Sequence, residues 1–260
     1  MNLPGHAVTA VSLGSFSKRA CRCVSLAIFV LYGAAAGADD TNVSKPDVVS
    51  KPGVDEVIAK MVQRDNERQS ALEGYTAVRR YVLENPGQHK RAEMVVRLTC
   101  LKDGTKQFDT VSSAGWGGAR KHVFPRLLKA EEEASVPDLR AQSRITPENY
   151  SFEMAGQEVI NGRPAFIVEA TPREPKKFLM RGKIWIDAED YAVVRIEGVP
   201  AKNPSFWIKS VHFAHKYEKH GPFWFPASDE STTDVRIFGA TELKIEYFDY
   251  IANSIQARGE

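Results

Sequence analysis

The chain has 260 residues, 43% of them hydrophobic and 26% charged, which places it among ordinary globular proteins and excludes a collagen-like or intrinsically disordered chain. Its formal charge of +2 rests on the first 38 residues, which carry Lys18, Arg19 and Arg22 and no acidic side chain. Without them 35 basic residues become 32 against 33 acidic ones, a near-neutral balance with no electrostatic footprint for nucleic acid.

Residues 1–38 read as a secretory signal peptide. Lys18, Arg19 and Arg22 form the basic region, Val24 to Tyr32 the apolar one, and Ala36-Gly37-Ala38 the small residues for cleavage after Ala38. An uncleaved anchor is the competing reading, but the apolar run from Cys23 to Ala38 is shorter than the ~20 residues of a spanning helix and is diluted with Gly and Ala. The expected product is a soluble exported protein without stable membrane insertion. Of the three cysteines only Cys100 remains after such cleavage, so stability must come from burial and not from a disulfide within the chain.

Residues 39–53 are polar, contain Lys-Pro twice, and read as a flexible lead-in. From Val54 the apolar positions Val57, Ile58, Met61, Val62, Ala71 and Leu72 take helical spacing, with Asp55 and Glu56 in the first turn and Gly74 as the expected stop. Strands follow at Tyr75–Glu84, Ala92–Leu101 and Lys106–Val111, the last two around the turn signal Asp103-Gly104. A break at Gly115, Gly117 and Gly118 leads into a helix over Val123–Ala134, with a weaker helical piece reaching Arg144.

From Asn149 the pattern is strand throughout. Tyr150–Ile160 and Pro164–Ala170 flank Asn161-Gly162, and strands follow at Gly182–Asp187, Val193–Gly198, Phe206–Tyr217, Phe223–Thr232 and Val235–Tyr250, the last with a bend at Gly239. Short turns between neighbours mean an antiparallel meander of nine or ten strands. The fold class is α+β, mainly β, in one domain over 54–252 with 253–260 as a tail.

Chemistry-bearing constellations are sparse. His212 and His215 lie three apart on a strand, so they point to opposite faces and cannot share a metal without a bulge. Asp187, Glu189 and Asp190 lack the spacing of a calcium loop and read as turn formers. There is no Gly-x-Ser-x-Gly, no His-Glu-x-x-His and no phosphate loop, since Gly115-Trp116-Gly117-Gly118 lacks the Lys-Ser/Thr that would follow. The reading is therefore a protein without cofactor, metal or catalytic residues, an enzyme working through His212 or His220 being the least supported alternative. Aromatic residues stand out instead, in Phe206-Trp207 and in Phe223-Trp224-Phe225-Pro226. Trp185 takes the face of its strand opposite Ile184 and Ile186, which calls for an apolar patch or a covering segment there.

The runs Gly182-Lys183-Ile184-Trp185-Ile186-Asp187, Val194-Arg195-Ile196-Glu197-Gly198 and Phe223-Trp224-Phe225-Pro226 resemble the bacterial outer-membrane lipoprotein-sorting proteins, the family around the carrier LolA and the receptor LolB. The resemblance spans Val54 to Tyr250 and departs from the family in its insertion from Gly115 to Arg144 and in the Lys-rich segment from Pro172 to Arg181. It implies a large curved antiparallel sheet forming an unclosed β-barrel. The helix at Val54 and the segment after Gly118 would pack on its concave side as a lid over a cavity for acyl chains. The implied role is periplasmic, non-enzymatic binding or transport of a lipid or lipidated protein. An envelope sensor of the same fold with a protein partner is the alternative. Trp185 and Arg195 match the family pattern; with Phe206, Trp207, Phe213 and Trp224 they are the candidate ligand-binding residues.

Overall fold

The computed structural model describes residues 52–203, 205–206, 208–236 and 239–254; the expected signal peptide, its cleavage point and nearly all of the lead-in lie outside the described residues. Helix α1 spans Val54–Ala71 and strand β1 Leu72–Asn85, followed by β2 (Lys90–Leu101) and β3 (Lys106–Gly115). A π-helical turn at Ala119–Val123 opens into α2 (Phe124–Ser135) and then α3 (Pro137–Ala141). Seven strands complete the chain: β4 (Tyr150–Ile160), β5 (Arg163–Pro172), β6 (Met180–Asp187), β7 (Val193–Pro200), β8 (Ile208–His220), β9 (Phe223–Val235) and β10 (Gly239–Ser254).

All ten strands form one antiparallel sheet in the order β3-β2-β1-β10-β9-β8-β7-β6-β5-β4. Two meanders, β1 to β3 and β4 to β10, are joined where β1 pairs with β10 from Leu72↔Ser254 to Glu84↔Glu242. Strands β3 and β4 are left as edges, so the barrel is open. Asn161 and Gly162 both adopt positive φ, 51° and 80°, as a two-residue hairpin turn requires.

Two expectations change. Gly74 does not end α1; the chain turns directly from Ala71 into β1, and Gly74 sits inside that strand at φ 118°, where a Cβ would lie 2.6 Å from the Cys100 carbonyl oxygen. Its glycine is needed for close strand approach and not for a helix cap. The last strand begins at Gly239 and runs to Ser254, so the first residues of the expected tail belong to the sheet.

Helices α1 and α2 each cover their own part of one face of the sheet. Val57, Ile58 and Met61 of α1 pack on Phe166, Ile184 and Ile186. Phe124, Leu127 and Leu128 of α2 pack on Tyr81, Met94 and Ile245. Each fully buried side chain of this size contributes roughly 1.5–3 kcal/mol. Among the described residues no helix is long and apolar enough to cross a membrane.

Candidate functional site

The stripe of α1 continues past Met61 at helical spacing through Asp65, Arg68 and Gln69 to Leu72 at the start of β1, and polar side chains replace apolar ones along it. Beneath it lies a cleft of about 120 Å³. Its walls are apolar, with Met61 and Val62 above and Tyr75, Val193, Tyr217 and Phe225 below. Asp65, Arg68 and Gln69 from α1, and Arg144 from the connection between α3 and β4, form its polar rim.

The cleft exists because two strands part. Strand β7 pairs with β8 only from Arg195↔Lys216 to Gly198↔Phe213, whereas Tyr217 to His220 of β8 pair with β9 alone. Side chains of the β6–β7 turn bridge the gap. Asp187 accepts hydrogen bonds from the backbone N–H groups of Glu189 and Asp190 and pairs bidentately with Arg163 at 2.6 and 2.8 Å. This shapes the turn so that Asp190 reaches across, pairing with Lys219 at 2.7 Å and accepting from Trp224 Nε1 at 2.9 Å. Above it Arg68 donates to the Asp190 carbonyl at 3.1 Å, and the Lys60 ammonium sits 5.1 Å from the Tyr191 ring centre.

The rim has an unusual charge balance. Part of Asp65 faces the cleft, yet desolvation pushes its carboxyl up to about 7 against the opposing pull of Arg68 and Arg144 and the hydrogen bond from Gln69. Burial also lowers the Arg68 guanidinium from its usual range, with Asp65 and Asp190 acting against it. Arg144 donates through Nη2 to Asn66 at 3.3 Å, and its buried Nε has no partner.

A second polar group lies deeper, between the two apolar cores. Arg79 of β1 is fully buried and donates to Glu131 of α2 at 2.7 Å; Lys106 of β3 reaches the same carboxylate oxygen at 2.6 Å. Burial alone would raise Glu131, but the two cations hold it below the usual carboxylate range. Burial lowers Lys106 in spite of that carboxylate. Next to it His215 Nδ1 lies 2.6 Å from Asp229, which also accepts from the Tyr247 hydroxyl, and the Arg79 guanidinium stacks 4.5 Å over the Tyr247 ring. Burial would raise Asp229 too, but His215, Tyr247 and Arg79 hold it low. His215 is 2% exposed, out of reach of a substrate in this closed arrangement.

A family model whose description reads "Uncharacterized protein" matches residues 130–254. No curated protein matches the chain. Among solved structures, a putative outer membrane lipoprotein-sorting protein domain from Vibrio parahaemolyticus is 15% identical, with 76% of this chain and 91% of that one covered at a TM-score of 0.41. A DUF1329 family protein from Desulfovibrio piger is 13% identical, covering 78% and 94%, at 0.43. A LolA superfamily protein from Nitrosomonas europaea is 7% identical, covering 80% and 97%, at 0.38.

The five sequence candidates among the described residues do not converge. Phe213 is buried in the core under α1. Trp185 packs on the outer face against Ala165 and Val194, donates from Nε1 to Glu158 at 2.6 Å, and is covered by the Arg195 guanidinium 4.6 Å from its ring. Arg195 is paired in turn with Glu197. Phe206 is 75% exposed between β7 and β8, and Trp207 lies outside the described residues. Among the described candidates Trp224 alone lines the cleft. Asp65, Arg68 and Arg144 were missed, although Asp65 and Arg68 stand in register with Met61 and Leu72 on the α1 stripe, where apolar residues are expected.

Proposed function

We propose that this protein is a non-enzymatic binder or carrier of a hydrophobic ligand, held between α1 and the parted ends of β7 and β8. The observation that carries this reading is the apolar cleft under the second half of α1, roofed by one helix and floored by aromatic strands. Clefts with apolar walls and few polar groups at the rim are the usual form of a small-molecule site. At about 120 Å³ the closed cleft approaches the ~150 Å³ of an apolar cavity that holds a benzene ring, so a longer acyl chain requires α1 to move. Between Val62 and Ala71, which both pack on apolar clusters, the contacts of α1 with the β6–β7 turn are polar, such as Arg68 with the Asp190 carbonyl. The periplasm, and lipids or lipidated proteins of the outer-membrane sorting route, are the setting that the sequence resemblance implies.

Native mass spectrometry of the full chain purified from cell envelopes tests this. Lipid adducts are expected on the wild type, and Val62→Trp, which fills the cleft, should lose them while keeping a cooperative melt. Folded wild-type protein that carries no adduct and takes up no added lipid would sink the proposal.

A further inference from the structure

Arg144 sets the direction of this inference, because its Nε is buried, unpaired and part of a side chain that lines an apolar cleft. A buried donor without an acceptor is unfavourable, and a ligand oxygen at that position would satisfy it. Arg68 contributes a second guanidinium to the same rim, its carbonyl contact engaging only Nη1 among the described residues. Guanidinium groups suit carboxylate and phosphate oxygens through their planar fork of donors. Facing them are Asp65 and Gln69 on α1 and the Tyr217 hydroxyl from β8; Asp190, beyond Arg68, is already engaged by Lys219 and Arg163. The walls below are Val193, Tyr217 and Phe225, with no charge among them.

We infer that the ligand is an anionic amphiphile, whose carboxylate or phosphate head sits on Arg144 and Arg68 while its chain enters between α1 and the strands. This rests on the hydrophobic-ligand reading and narrows it to one headgroup chemistry. Asp65 tunes it. With a carboxyl titrating near 7, Asp65 leaves the two guanidiniums uncompensated on the acid side and competes with the ligand head on the alkaline side.

The test is calorimetric titration of the full chain with dodecanoate, dodecyl phosphate and dodecyltrimethylammonium at pH 6 and pH 8, either side of the Asp65 value of about 7. Both anions should bind about tenfold more tightly than the cation at pH 6, and less tightly at pH 8. The stronger of the two identifies carboxylate or phosphate as the preferred head. Arg144→Gln should remove about tenfold of the anion affinity and leave the cation unaffected; Asp65→Asn should abolish the loss at pH 8. Equal affinity for anion and cation overturns the headgroup assignment and leaves the apolar site standing. Failure of all three probes to bind folded protein overturns the apolar site itself.

Discussion

Helix α2 meets the sheet through charges that water does not reach, whereas the second half of α1 meets it across a cavity. The stripe of α2 is Phe124, Leu127, Leu128 and Glu131, and the carboxylate at its end is gripped by Arg79 and Lys106 from two different strands. The stripe of α1 ends in Asp65 and Arg68, whose partners lie at the rim. Removing one partner of a buried ion pair is far more costly than losing a solvated one, because the charge left behind has no water to turn to. The same substitution of polar for apolar along a helical stripe thus gives a helix end held by buried charges in one case and one held by half-buried rim contacts in the other.

The sharpest way to break that contrast is Glu131→Gln. It leaves Arg79 and Lys106 buried without a countercharge and should cost about 3–5 kcal/mol in urea unfolding. Amide exchange should rise in α2 more than in α1. A smaller effect, with a pH signature, belongs to Asp65→Asn. The folded carboxyl titrates at about 7 and the unfolded one near 4, so the folded state holds the extra proton between these values. The contribution of Asp65 to stability should therefore be fullest below pH 4 and be lost as pH rises through 7. The variant should be more stable than wild type at pH 8 and indistinguishable from it at pH 4 by thermal melting. Least of all, Lys129→Ala on the outer face of α2 removes only a 4.0 Å pair with Glu133 between exposed side chains, and should change stability by about 0.5 kcal/mol or less. A larger effect would mean that α2 owes its hold to more than its buried face.

Much of the fold is readable in the residues because its elements are long and its turns explicit. Asn161-Gly162 and Asp103-Gly104 mark two hairpins, and alternation places Ile184 and Ile186 inward. Alternation also shows Trp185 facing outward, but not that Glu158 and Arg195 would cover it, since both come from other strands. The deep charges left a trace too. In β1, Tyr75, Ala77, Tyr81 and Leu83 define an inner face to which Arg79, and not its neighbour Arg80, must belong. What periodicity cannot supply is the partner: Glu131 and Lys106 lie 52 and 27 residues from Arg79, and only the sheet order brings the three together. The cleft is similarly hidden. It depends on β7 and β8 parting beyond Lys216, which is a property of register between strands and leaves no mark within either one.

The β6–β7 turn, shaped by Asp187, stands at the meeting point of these relations. Through Asp190 it fastens β8 and β9 by Lys219 and Trp224, and through the Asp190 carbonyl and Tyr191 it receives Arg68 and Lys60 from α1. A few residues thus work as a keystone shared by the roof and the two halves of the floor. In the proposed lifting of α1 the turn would give up Arg68 and Lys60 while keeping Lys219 and Trp224, so the floor would stay joined as the roof opens.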